Sequence, residues 1–318
     1  MKLFFLTLFL CLTSFAAGKK DAKPITVAYD VVFPLKDLRG HRAAVTSLAV
    51  SEGDKYLLSG SQDTNVILWT LKNARIKKVM VGHKAPVTGA VFSPDNENLA
   101  SSDTNGFLEV WDLSGENIKT LTSKNIVLYS VAFANGGYFL AGGSSGNIMV
   151  WNFPEGTPYR TIKTESHSVN SLLFNSPDSH LIYALASGEI KITRVSDMKE
   201  MLTIKAHSDS IKSLAYYGNS IASCSMDGYL KVWNFSDGKP LYSVFAHQGG
   251  CRAVAFSKDG EYLATGGMDN YAKLWKIGGK EALKMFGGHV DSVDAVVFSR
   301  KYLITGSKDR SIKIWPYK

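Results

Sequence analysis

Six tryptophans recur along this chain at a fixed interval. Trp69, Trp111, Trp151, Trp233, Trp275 and Trp315 are separated by 42, 40, 82, 42 and 40 residues, and the 82 is two intervals with one Trp absent. Self-similarity at such a period means one supersecondary unit stacked on copies of itself, because a single copy cannot bury its own apolar face. This overrides the two-domain expectation that 318 residues would otherwise raise. It also turns most of the tryptophan and histidine into scaffold, so function has to be sought between them.

Aligned on their Trp, the units share an order. Each begins near Gly-His or Ala-His, runs through alternating apolar residues and enters a Leu/Ile-rich segment ending in Ser or Thr. A tight turn holding Asp follows, then a segment of the form x-x-apolar-x-apolar-Trp. The last unit shows it: Gly288-His289, Val293 to Phe298, Tyr302 to Thr305, Asp309, and Ser311 to Trp315. Short alternating strands between Asp/Gly/Asn/Ser turns, with no helical periodicity, predict an all-β fold.

These motifs resemble the WD-repeat (β-transducin type) family over residues 31–318. The resemblance implies a seven-bladed β-propeller of four-stranded antiparallel blades, its ring closed by an N-terminal strand. Because the last unit ends almost at its Trp, Val31 to Leu35 is the segment expected to supply that closing strand. The family's buried polar network maps onto four units. These are His41, Ser59, Asp63 and Trp69; His207, Ser223, Asp227 and Trp233; His247, Thr265, Asp269 and Trp275; and His289, Thr305, Asp309 and Trp315. The carboxylate suits a tight turn, the imidazole can bridge carboxylate and hydroxyl, and the indole adds one donor beside a large apolar face.

Three units depart from the pattern. The second keeps His83, Ser101 and Trp111 but has Asn105 where Asp is expected. The third has Lys124-Asn125 for Gly-His, Ala141 for the hydroxyl and Ser145 for Asp. The fourth has His167 too close to its strand, Tyr183 and Ser187, with Thr193 in the Trp slot. Units three and four are therefore expected to rest on packing alone.

Recurrence also argues against catalysis. A catalytic Ser, His and Asp set should occur once, whereas this one recurs at fixed spacing, which is the mark of scaffold. No His/Cys/Glu cluster with metal spacing, no phosphate loop and no Gly-x-Ser-x-Gly is present. No catalytic, cofactor-binding or metal-ligating residues are expected. The net charge of +8 is scattered rather than blocked and lacks the basic–aromatic run that nucleic acid needs.

The first 18 residues read as a secretory signal peptide: Lys2, an apolar run from Leu3 to Ala17, and the small-x-small pairs Ser14/Ala16 and Ala16/Gly18. The run is shorter than the ~20 residues a membrane span wants. Residues 19–30 then form a short lead-in. The expected location is the endoplasmic reticulum lumen or beyond, the alternative being cytoplasmic or anchored by an uncleaved signal. Asn234-Phe235-Ser236 is a glycosylation sequon in a predicted surface turn. Cys224 and Cys251, placed in strand interiors of neighbouring blades, read as buried free thiols.

The resemblance implies a non-enzymatic scaffold that binds protein partners on the face of the loops carrying the His and Asp. The alternative is a recognition subunit of an intracellular ubiquitin-ligase or RNA-processing complex. By the family's pattern the contact positions are the third and fifth residues after the His and the one before the Asp. They include Tyr129, Lys212, Met226, Arg252, Met268 and Lys308. Adaptable methionine beside cationic groups suits an extended peptide with acidic and apolar side chains.

Overall fold

The computed structural model describes residues 31–123, 126–134, 139–175 and 179–318. The expected signal peptide and lead-in, the Lys124-Asn125 pair and the side chain of Ala141 lie outside the described residues. Every regular element among the described residues is a β-strand.

The strands form antiparallel sheets in chain order, as a meander of alternating apolar segments and tight turns dictates. The first unit pairs Val45–Val50, Tyr56–Ser61, Asn65–Thr70 and Arg75–Val81. The second unit (Val87–Phe92 to Asn117–Thr122) and the fifth (Ile211–Tyr217 to Pro240–Phe245) repeat this. Units three and four are joined by one strand, Pro158–Phe174. Its first half pairs with Phe139–Asn152 and its second with His180–Leu185, which makes a six-stranded sheet.

The buried apolar side chains lie between successive sheets. Leu68, Met80, Val87, Leu99 and Trp111 fill the space between units one and two. Trp233 packs with Ile192, Ile204 and Ile211 between units four and five. The same arrangement joins the last unit to the first, where Leu38, Ile304, Ile312 and Ile314 pack with Val45, Leu57 and Trp69. Stacked four-stranded antiparallel sheets that share cores with their neighbours are the architecture of a β-propeller.

The N-terminal segment differs from the expectation. Lys36–Arg39, not Val31 to Leu35, is the antiparallel outer strand on Ser311–Pro316, with Leu38 opposite Ile312. Val31–Val32 instead runs parallel to Lys284–Phe286, the outer strand of unit six. The reason is visible in burial and charge. Leu38 is 5% exposed in the shared core and Asp37 accepts from Lys313 Nζ at 2.8 Å, whereas Phe33 and Leu35 are each 56% exposed. Pro34 has no N–H to give a ladder, so it separates the two pairings. The segment thus touches two sheets rather than one.

Cys224 and Cys251 are not free thiols. They form a disulfide from the second strand of unit five to the first strand of unit six, with Cα atoms 5.2 Å apart, inside the span a disulfide allows. Both side chains are fully buried.

Because only Leu38 buries a large side chain from the outer strand of the last unit, Leu38→Ala should destabilise the protein by about 2–5 kcal/mol. Phe33→Ala, at an exposed position, should shift the melting midpoint far less. Equal shifts in thermal unfolding would contradict the pairing described.

Candidate functional site

The loops that carry His and Asp are held from beneath by a repeated polar frame. In units one, two, five, six and seven, His Nδ1 lies 2.8–3.0 Å from an Asp carboxylate oxygen. The same ring's Nε2 lies 2.6–2.7 Å from a Ser or Thr hydroxyl. That hydroxyl accepts the Trp Nε1–H at 2.8–2.9 Å. An ionised carboxylate can only accept, so Nδ1 carries the hydrogen and Nε2 accepts from the hydroxyl. The hydroxyl then donates to His and receives from Trp.

Burial holds the His41, His207 and His247 imidazoles below their usual range, against the raising pull of the adjacent carboxylates. Burial opposes charge on Asp63, Asp227, Asp269 and Asp309 too. Backbone N–H groups, the imidazoles and, at Asp309, the Ser311 hydroxyl outweigh it, and all four carboxyls sit below the usual range. At His41, His207 and His247, neutral histidine on an ionised aspartate follows.

Unit two corrects the sequence reading. Asp103, two residues before Asn105, binds His83 at 2.9 Å. Its other oxygen accepts from the backbone of Asn105 and Phe107 at 2.9 Å. The frame is complete there, with the carboxylate supplied from the strand end instead of the turn. Sequence reasoning also missed Glu109, buried 3.9 Å from His83 Nε2. Burial pushes its carboxyl up, and the charge of Asp103 adds to that. In unit four the large and small partners are exchanged: Tyr183 stands on the second strand and Thr193 on the third, both buried, with Thr193 Oγ1 3.5 Å from Tyr183 Oη. His167 is exposed and its carbonyl accepts from Thr164. Ser145 is exposed, and Trp151 is buried.

The first strand of each unit carries a register shift at its second residue. Such a bulge leaves one residue out of the ladder and re-aims its side chain. The residues so released are Thr46, Thr88, Tyr129, Asn170, Lys212, Arg252 and Asp294, the fifth position after the His wherever the His is in place. Several reach the next unit: Thr46 donates to Val87 O, Thr88 to Leu128 O and Asn170 to Ile211 O, at 2.7–2.8 Å. Arg252 Nε donates to Asp294 at 3.0 Å.

The other two positions also meet. The residue before the turn Asp donates its N–H to the carbonyl of the third residue after the His: Met226 to Ser210, Met268 to Gly250 and Lys308 to Ser292. Met226 and Met268 flank the Gly249-Gly250 loop. A Cβ on Gly250, whose φ is +131°, would meet Met226 Sδ at 3.0 Å, and one on Gly249 would meet Met268 Cβ at 3.5 Å. Burial lowers the Lys212 ammonium below its usual range, Arg252 adds to this, and Asp209 opposes it. Arg252 is committed to the buried Asp294, so the expected three-cation rim is reduced to Lys212 and Lys308. Tyr129 occupies the same register in unit three, away from the methionines.

Tyr229 and Phe245 were not foreseen. Their rings stack edge to face at 5.5 Å, next to Gly228, whose carbonyl accepts from the backbone of Ala246 and His247, and stay 39% and 55% exposed. Pairing register, not residue spacing, brings them together. Asn234 takes part in a turn in which its Oδ1 accepts from Ser236 N at 2.8 Å.

The frame of unit two can be tested directly. Asp103→Ala should leave His83 and two turn amides under-satisfied and cost about 1–3 kcal/mol. Asn105→Ala should cost clearly less. Equal denaturation midpoints for the two variants would return the role to Asn105.

The family model "WD domain, G-beta repeat" matches residues 33–70, 75–112, 115–152, 198–234, 238–276 and 280–316. The unmatched stretch from 153 to 197 holds Tyr183 and Thr193. Among curated relatives, the chain is 24% identical over 206 residues to "Nuclear distribution protein nudF" of Aspergillus niger, covering 55% of this chain and 46% of that protein. It is 30% identical over 111 residues to "WD repeat and HMG-box DNA-binding protein 1" of Mus musculus, covering 34% and 10%. It is 29% identical over 120 residues to "Probable coatomer subunit beta'" of Schizosaccharomyces pombe, covering 36% and 15%. The matches span less than half the length of these relatives. With six repeats matched across most of its length, and the His–Asp and Trp–hydroxyl bonds in place in five of them, the chain belongs to the WD-repeat family.

Proposed function

We propose that this protein is a non-enzymatic scaffold, a closed ring of seven blades that captures an extended acidic and apolar peptide on the loop face of units five to seven. The observation that carries the reading is the pairing of Met226 and Met268 across the Gly249-Gly250 loop, beside Lys212. Met268 is 42% exposed, and Tyr229, Phe245 and Val290 add apolar surface on neighbouring loops. Support for the ring itself comes from the shared core between the last and first units and from Lys36–Arg39 on the final sheet.

Adaptable methionine over a glycine loop gives a partner depth and area, while Lys212 and Lys308 supply attraction at longer range. Rim charges mainly set association rate and salt dependence, whereas a central apolar anchor sets dissociation. A Lys212→Glu/Lys308→Glu variant should therefore lose capture of an acidic peptide chiefly through slower association at low salt. Met268→Ala should shorten the lifetime of the complex. Surface plasmon resonance on partners recovered by pull-down checks both. Unchanged kinetics in both folded variants would move the binding face elsewhere.

We further propose that the chain enters the secretory pathway. The signal-like pattern of residues 1–18 and a buried Cys224–Cys251 disulfide both fit an oxidising compartment. The mature protein recovered from cells should begin near Ala17 or Lys19 when its N-terminus is sequenced. An intact Met1 would overturn this part.

A further inference from the structure

At the join of the last unit and the first, on the side opposite the His-bearing loops, four elements converge on a cleft of about 410 Å³. Lys36 comes from the N-terminal outer strand, Lys72 from the turn after Thr70, and Arg300 and Lys301 from the turn after Phe298. Asp54, from the turn after Val50, is the only acidic residue in the lining. Leu71, Tyr302 and Ile314 contribute buried or half-buried apolar surface.

The charges do not balance. Asp54 Oδ2 accepts from Arg300 N at 2.6 Å, which ties the two turns together, and its Oδ1 is sealed from solvent. The Arg300 guanidinium is met by Glu52 at 3.2 Å. Lys36, Lys72 and Lys301 make no ion pair among the described residues, and all three are exposed at the cleft. Three lysines from three separate chain segments line one concavity with no carboxylate partner, an arrangement whose mutual repulsion an anion would relieve. Nothing in the frame or in the peptide-binding rim accounts for this placement, because the cleft lies at the other end of the strands.

We propose that the cleft binds a phosphate or sulfate monoester carried on a small polar body of about the size of a sugar. The three lysines meet the oxyanion, and the exposed Leu35 and half-buried Tyr302 receive the carrier. A volume of about 410 Å³ exceeds what a bare oxyanion fills and falls within the range of small-molecule sites. Because the cations come from the N-terminal strand, the first unit and the last, the bound ester braces the join between them.

The test uses the full chain in thermal unfolding and isothermal titration calorimetry, with glucose 6-phosphate and glucose 6-sulfate as probes. Glucose and potassium chloride at matched ionic strength are the controls. Either ester should raise the melting midpoint saturably while glucose and chloride do not, and the stronger of the two identifies the source of the oxyanion. Lys36→Gln/Lys72→Gln/Lys301→Gln should weaken the ester by at least ~10-fold, the size expected for lost charge-assisted hydrogen bonds. Lys199→Gln/Lys205→Gln/Lys280→Gln, an equal charge change elsewhere, should leave it unchanged. The single Lys72→Gln variant should show a smaller loss and guards against a triple variant that fails to fold. Absence of saturable binding, equal effects of chloride and ester, equal loss in the two triple variants, or binding only to phosphatidylserine vesicles would each overturn the proposal.

Discussion

The hydroxyl in the second strand is the point on which each framed unit depends. It donates to the His that precedes the unit's first strand and accepts from the Trp of the third. The His in turn fixes the Asp of the turn between second and third strands. One oxygen thus links two strands, a turn and the loop arriving from the previous unit. Because that loop carries part of the proposed rim, the frame sets where the side chains of that rim can stand. The same donor order occurs in Ser–His–Asp hydrolases, and access is what separates the two cases. Here Ser59, Ser101, Ser223, Thr265 and Thr305 are fully buried, and the indole N–H already uses the oxygen that would attack a substrate. Repetition argued against reading these sets as catalytic triads, and the burial of the hydroxyls points the same way.

A second constraint, the bulge in each first strand, selects which side chain leaves the ladder. Four units place neutral groups there: Thr46, Thr88, Tyr129 and Asn170. The threonines and Asn170 spend their donors on the carbonyls of the next unit, which stiffens the stack and leaves little to offer a partner. Charge appears only at Lys212, Arg252 and Asp294. Pairing of Arg252 with a buried Asp294 then removes most of that charge, so this sector is less electropositive than its composition suggests. On the proposed binding face, methionine, tyrosine and phenylalanine then make up the larger share of the exposed surface.

Much of this was legible in the sequence because repetition amplifies weak signals. Asp four residues after a hydroxyl and six before a Trp means little once, and a great deal when it recurs with His upstream. Legibility failed where the structure used one residue in place of its neighbour. Asp103 sits two positions early, and only the path of its side chain shows that it reaches His83. Val31 to Leu35 looks more like a strand than Lys36–Arg39 does. Yet an outer strand needs only one buried side chain, and Leu38 provides it. The disulfide was hidden for a different reason. Its cysteines were assigned to strand interiors of adjacent blades, but whether two such strands bring their Cα atoms to 5.2 Å depends on lateral packing that spacing does not encode. The seam cleft was hidden likewise, since its lysines come from segments far apart in the chain.

Stability in a stacked array is close to a sum of unit and interface contributions, so a unit that loses its frame should weaken its neighbours unless something else holds them. Unit four, which the family model does not match, is where this should be felt. Two compensations meet there. Tyr183 and Thr193 exchange the sizes of the usual hydroxyl and Trp, and Tyr183 remains 2% exposed in the core shared with unit three. The strand Pro158–Phe174 runs from one unit into the next, pairing with unit three up to Lys163 and with unit four from Val169, so the two sheets are joined by extended chain. Loss of the polar frame at this point has been matched by packing and by chain continuity. That combination is what a unit under pressure to stay in the stack would show, and it argues that the divergence of unit four reflects a different way of holding the sheet rather than a surface released for partners.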